Sequence, residues 1–366
     1  MREKSGLAVL LIMALLILAA CAGEPVTILT PPARIIDWEN FAWEREHFAD
    51  LRQPLPFDEH TTHGYLAVQQ LRFMNDRLYG RVPFSYREKE AAVWLVEELL
   101  AMGHPWEKIY VQEFPLQGDF RWWNLNHQPR WRSEFELRHT TKLSQNVILT
   151  VPGRSERQII AGAHYDSWPT PGATDNASGT TLLLESAQRI LHLDHYYTIV
   201  YVFFGAHETG GFLAADHFVQ NLSYEQRNNT VLMINADNLF DGPYIFYGAG
   251  FNDNLQPGFS DLTRRIDTIA YELDLGLISY PRMIFNYIDQ LPFLMNGFTV
   301  VVLSALSGVN LAGYTGFFSI DGVQFTRGVS HTANDDLHII EARWPGRVQT
   351  NMRVYSLFLE KLLLQR

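Results

Sequence analysis

The stretch IIAGAHYDSWPTPGATDNASGTTLLLE, residues 159–185, decides the fold. Its first five residues are an apolar run of the kind that strands show when buried on both faces of a sheet, and residues 179–193 carry helical spacing. Between the two lie Pro169, Pro171 and Gly172 together with His164, Asp166 and Asp175. A strand that passes through a polar turn into a helix is the repeating unit of a parallel sheet. In such sheets ligands bind beyond the carboxyl ends of the strands, so these ionisable residues stand where a site would form.

Working outward, the same kind of apolar run recurs as NVILTV from Asn146, TIVYVFF from Thr198, VLMIN from Val231 and TVVVLS from Thr299. Helical spacing recurs over 86–102, with Gly103 as a C-terminal stop, over 211–222 and 261–273, and from about Trp344 onward. The alternation predicts an α/β fold: a mainly parallel mixed sheet flanked by helices on both faces, forming a single catalytic domain over residues 61–366. Residues 22–60 contain Pro25, Pro31, Pro32, Pro54 and Pro56 with little periodicity and read as a tether.

Residues 1–21 have the layout of a secretory signal: Arg2 and Lys4 precede the apolar run LAVLLIMALLILAA, which is short for a membrane span. The run ends in Leu18-Ala19-Ala20-Cys21, which resembles the lipobox of bacterial lipoproteins, where the cysteine is lipidated. That resemblance implies an extracytoplasmic, membrane-anchored lipoprotein of the cell envelope, held to the membrane by its N-terminal lipid alone. A plain membrane anchor is the alternative.

Cys21 is the only cysteine in the chain, which excludes an intramolecular disulfide, a thiolate metal site and a cysteine nucleophile in the folded part. Any metal must rest on His, Asp and Glu. The net charge of -11 and the lack of a long Lys/Arg cluster argue against a nucleic-acid partner. No GxSxG elbow is present, so a serine hydrolase is unsupported.

Four elements end in a possible metal ligand: IIAGA at His164, TIVYVFFGA running into His207-Glu208, VLMIN followed by Asp237, and Asp175 just before a helix. His331 in VSHTANDD comes from a later loop. Singly, each has an ordinary reading as a hydrogen-bonded strand-end histidine, an N-cap, a loop acid or a turn. Together they crowd ionisable groups at one sheet edge, which is costly unless a cation compensates. The HExxH pattern of single-zinc proteases does not apply, since it requires a histidine at Gly211. His60 and His63 in EHTTHG read as a solvated turn.

AGAHYDSWPTPGATDNASGTTLLLE resembles the signature of the M28 family of co-catalytic zinc peptidases, to which the animal glutaminyl cyclases are also related, and RLYGRVPFSYREKEAAVWLVEELLAMG resembles the opening segment of that family. The resemblance implies a zinc-exopeptidase-like fold acting on peptide substrates, with Asp175 bridging two zinc ions. His164 and Asp237 would complete one ion's site, and Glu208 and His331 the other's. Asp166 would hold the His164 imidazole in one tautomer. Asp289 in FNYIDQLPF matches a family acid, but the histidine expected beside it is Gln290.

A second departure lies in FFGAHETGG, residues 203–211. The family has adjacent glutamates here, a general base followed by a ligand; aligning Gly210 with the family glycine puts Glu208 on the ligand and His207 on the base. Imidazole can move protons at neutral pH, yet beside two dications it can also enter the coordination sphere. The expectation is a lipid-anchored zinc aminopeptidase with His207 as a catalytic base of reduced power. A metal-binding or peptide-binding lipoprotein without turnover and a glutaminyl-cyclase-like acyltransferase are the alternatives. In the aromatic loop 307–325, Tyr314, Phe317 and Phe318 are candidates for a substrate side-chain pocket.

Overall fold

The apolar runs become strands, and their neighbours explain why they carry so few polar residues. The computed structural model describes residues 56–58, 60–115, 143–209, 212–253, 256–258, 260–285, 288–309, 318–320, 323–326 and 328–365. Its strands are β1 (Ile109–Pro115), β2 (Leu143–Val151), β3 (Ser155–His164), β4 (Tyr197–Phe204), β5 (Thr230–Ala236), β6 (Tyr244–Asp253), β7 (Gln256–Gly258), β8 (Ile278–Ser279), β9 (Val300–Val309), β10 (Phe318–Ile320) and β11 (Val323–Thr326). Its helices are α1 (Tyr65–Arg77), α2 (Tyr86–Ala101), α3 (Ser178–Ile190), α4 (Leu213–Gln220), α5 (Tyr224–Asn229), α6 (Asp261–Leu273), α7 (Gln290–Met295), α8 (Leu337–Arg343) and α9 (Arg347–Leu364).

The centre of the sheet is parallel, in the order β4-β3-β5-β9. Antiparallel strands flank it: β2 and β1 beside β4, and β6 and β11 along β9. The α/β architecture with a mixed sheet therefore agrees with the sequence, and the parallel pairing is concentrated in the strands that carry the site.

Alternation along the strands feeds two helical layers. Ile160, Val200, Val202, Met233, Val300 and Val302 pack with Phe218 of α4 and Phe293 of α7 in one apolar cluster. On the opposite face, Tyr201 of β4 reaches Ser186 of α3 through a 2.9 Å hydrogen bond. The C-terminal helix is tied to this second layer by buried Glu185 of α3. That carboxylate accepts the Ser356 hydroxyl at 2.6 Å, the Gly64 and Ala67 amides at 2.7 and 2.9 Å, and Arg189 at 2.8 Å. The charge is thus fully hydrogen-bonded, which makes its burial tolerable.

The tether expectation falls mostly on residues outside those described, as do Cys21, the signal segment, Tyr314 and Phe317. The EHTTHG turn differs from the solvated reading: half-buried His63 pairs with Glu360 of α9 at 3.0 Å. No helix among the described residues is long and apolar enough to cross a membrane.

Candidate metal centre and active site

Three parallel strands deliver their ends to one place. β3 ends at His164, β4 leads into His207 and Glu208, and β5 leads into Asp237. Asp175 enters from the turn before α3, and Gly179 fixes how closely that turn approaches the sheet: a Cβ there would lie 2.2 Å from the Ala236 carbonyl oxygen. Gly172, at φ 61°, makes the preceding bend in the left-handed region that favours glycine. Ala206, Asn238 and His331 occupy the same region without being glycine, so non-glycine strain collects at the turns beside the ligand candidates.

The Asp175 carboxylate faces two imidazoles at once. Its Oδ1 is 3.2 Å from His164 Nε2 and its Oδ2 is 3.0 Å from His331 Nε2. Asp237 Oδ1 stands 3.5 Å from the same His164 nitrogen, and Glu208 Oε1 stands 3.0 Å from the same His331 nitrogen. Two donor groups therefore share one central carboxylate, with His164 and Asp237 on one side and Glu208 and His331 on the other. All five residues named from the sequence lie in this cluster.

The chemistry of the cluster suits divalent cations. His164 Nε2 is buried and makes no hydrogen bond of sound geometry, although two carboxylate oxygens converge on it. Burial opposes protonation of His331, yet the Glu208 and Asp175 carboxylates outweigh it and raise its pKa to about 10. Burial pushes Asp335 up strongly, with the Asp175 charge adding to it. The proton that Glu208 and Asp175 hold on His331 marks a place where a cation is favoured. The donors are nitrogen and oxygen only, and such a set fits zinc.

His207 sits beside this cluster. Its Nδ1 is 3.0 Å from Asp289 Oδ1, and its ring lies parallel to that of His164, with centroids 4.0 Å apart and planes 12° apart. His164, His207 and Asp237 do bring donor atoms within 4.8 Å of one another, as do His164, Asp175 and Glu208. Stacked imidazoles, however, direct their in-plane lone pairs along parallel planes and cannot both aim at one ion. The stacking therefore separates His207 from the ligand role as long as the Asp289 contact holds.

Asp166 is placed somewhat differently from its expected role. Its carboxylate accepts the His207 and Glu208 amides at 3.1 and 2.9 Å, while His164 Nδ1 lies 3.2 Å from its main-chain oxygen and 3.4 Å from its Oδ1. It thus grips the His207 turn as well as the imidazole. Three residues not singled out from the sequence act in the same way. Glu88 of α2 accepts the Ala206 and Phe84 amides, each at 2.7 Å; Asp335 accepts the Thr174 and Asp175 amides at 2.7 and 3.2 Å; Asp241 accepts those of Gly328, Val329 and Ser330. Buried Arg81 gathers the carbonyls of Leu78, Tyr165, Pro171 and Gly172 and so shapes the turn between His164 and Asp175. The turns that carry His164, Asp175, Glu208 and His331 are thus each held by a charged side chain from another part of the chain.

Of the aromatic residues named for a substrate pocket, Phe318 opens β10, and Tyr314 and Phe317 lie outside the described residues. Trp168, which was also not singled out, donates its indole N–H to Glu208 Oε2 at 2.8 Å and stacks on His331.

The pattern of Peptidase family M28 matches residues 146–356, which span every ligand candidate. The chain is 28% identical over 202 residues to the alkaline phosphatase isozyme conversion protein of Escherichia coli, a match covering 51% of this chain and 54% of that one. The chain thus spans about half the length of that curated relative. Among solved structures, a zinc aminopeptidase from Bacillus subtilis superposes with a TM-score of 0.62 at 15% identity, covering 83% of this chain and 96% of that one. A glutaminyl cyclase from an Acidobacteriales bacterium gives 0.60 at 18% identity, covering 84% and 96%. At these identities the superpositions show a shared fold.

Proposed function

Because this chain belongs to peptidase family M28, whose pattern covers more than half of it, we propose that it is a two-zinc aminopeptidase that removes N-terminal residues from peptides. The observation that supports this most is the Asp175 carboxylate, each of whose oxygens faces a different imidazole. A carboxylate so placed can serve two cations at once, the arrangement of co-catalytic hydrolases.

His164 and Asp237 would hold one zinc, Glu208 and His331 the other, with Asp175 between them. When bound, the ions supply Lewis acidity toward the scissile carbonyl and a more acidic water. The chain's own part is to orient and move protons. Asp289 accepts a hydrogen bond from His207 Nδ1–H, which leaves the Nε2 lone pair to act as the base. His207 Nε2 takes the proton of the attacking water and returns it to the departing amine. Asp166 and Glu88 keep that imidazole in place through the backbone of residues 206–208.

The test is release of a free amino acid from unblocked peptides by the zinc-loaded protein. The proposal expects release from a free amino terminus and none from its acetylated counterpart. Formation of pyroglutamate from an N-terminal glutamine peptide without any hydrolysis would instead assign the cyclase reaction. Zinc binding with neither reaction would leave a metal-binding lipoprotein.

We also propose that the protein works outside the cytoplasm on a lipid anchor, a reading supported by Arg2, Lys4, the apolar run and LAAC. Cys21→Ser is expected to abolish incorporation of labelled fatty acid while leaving zinc content unchanged. Equal labelling of the variant would remove Cys21 as the attachment point.

A further inference from the structure

The loop after β3 places one indole against two metal-ligand candidates. Trp168 Nε1 donates to Glu208 Oε2 at 2.8 Å, and the Trp168 ring stacks on His331 with centroids 4.4 Å and planes 14° apart. The other oxygen of the same carboxylate, Oε1, is the one that faces His331 Nε2, at 3.0 Å. The two oxygens of Glu208 are thus assigned different work. The backbone that carries the indole is held in turn: the Ser167 hydroxyl and the Thr170 amide both donate to the Trp168 carbonyl, at 2.8 and 2.6 Å, and the Ser167 amide donates to the Arg81 carbonyl at 3.0 Å.

We propose that Trp168 is a positioning residue for the Glu208–His331 ion, restricting Glu208 to one-oxygen ligation and fixing the plane of the His331 ring. This rests on the reading above that Asp175, Glu208 and His331 share an ion. Its consequence is metal choice. A carboxylate that binds through one oxygen keeps the coordination number low, as zinc prefers, whereas calcium takes carboxylates through both oxygens and carries more ligands. Removing the indole N–H frees Oε2 to join Oε1 at the ion. The Trp168 hydrogen bond and ring stacking fall on Glu208 and His331, the two residues of this ion's site, so this is the ion they tune.

Trp168→Phe separates the two contributions, since it keeps an aromatic ring over His331 and loses the donor. Stepwise zinc titration of metal-free wild type and variant should show two binding steps in each. In the variant one step weakens by about 10- to 100-fold, the usual cost of losing a partner that orients a ligand, and the other is unchanged. That unchanged step reports that the variant is folded. Cobalt(II) substituted at the weakened step should show weaker visible absorption in the variant, because the bands fade as coordination number rises. Zinc binding should also change wild-type tryptophan emission at that step, with the change reduced in the variant. Two equal steps in both proteins would overturn the proposal while leaving the two-zinc reading intact, and so would a weakened step with an unaltered cobalt spectrum. A wild type that binds a single ion or none would overturn the two-zinc reading and this proposal with it.

Discussion

Asp175→Asn should remove both zinc ions from the protein and lower amino-acid release by at least about a thousandfold, the size of effect expected when several kcal/mol of metal-derived stabilisation are lost. Asparagine has the shape of aspartate, so the turn is preserved, but its neutral amide offers one oxygen and no charge. The two donor groups then lose their common member, and each is left with one imidazole and one other carboxylate. Zinc content after gel filtration checks the first part, and turnover of an unblocked peptide the second. A variant that kept two ions per chain would show that the groups on either side of Asp175 bind independently.

His207→Ala should lower kcat by about 10²- to 10⁴-fold, the range for loss of a positioned general base, with zinc content unchanged. The unchanged zinc separates base from ligand, because a ligand's removal would empty a site. Asp289→Asn should produce a smaller loss in kcat with little change in KM, since it disturbs only the tautomer and orientation of the imidazole through the 3.0 Å contact. His207→Glu bears on whether the site is weakened. In this structure a glutamate at 207 would set a second carboxylate against Asp289, which is buried, so the variant is expected to be slower than wild type. A rise of about tenfold or more, within the range for a general base, would instead support a site impaired by its histidine.

The five ligand candidates were legible because the rule that reveals them is local: a buried strand ends, and the next polar residue stands at the sheet edge. His164 follows its apolar run directly, Asp237 follows VLMINA, the fourth strand runs into His207-Glu208, where the family resemblance picks Glu208, and Asp175 lies just before a helix. The positioning residues obey no such rule. Glu88 meets the Ala206 amide 118 residues away, and Asp335 meets that of Thr174 across 161. A glutamate in the first turn of α2 and an aspartate in a loop look like capping residues until the fold brings them to another turn.

The strands divide in the same way. β4, the second half of β3 and most of β5, covered on both faces, are apolar runs. β1 (IYVQEFP) interleaves polar residues, and β6 (YIFYGAGFND) is interrupted by glycines, so neither stands out by composition. Trp168 was hidden for a different reason, because an aromatic beside a proline in a turn has many ordinary uses. The 2.8 Å contact with Glu208 and the stacking on His331 distinguish it.

Anomalous diffraction at the zinc absorption edge tests the central claim most directly, because it locates the ions without reference to activity. The account predicts two peaks in each molecule, on opposite sides of the Asp175 carboxylate, one beside His164 and Asp237 and the other beside Glu208 and His331. A single peak enclosed by His164, His207 and Asp237, with His207 drawn away from Asp289, would contradict it.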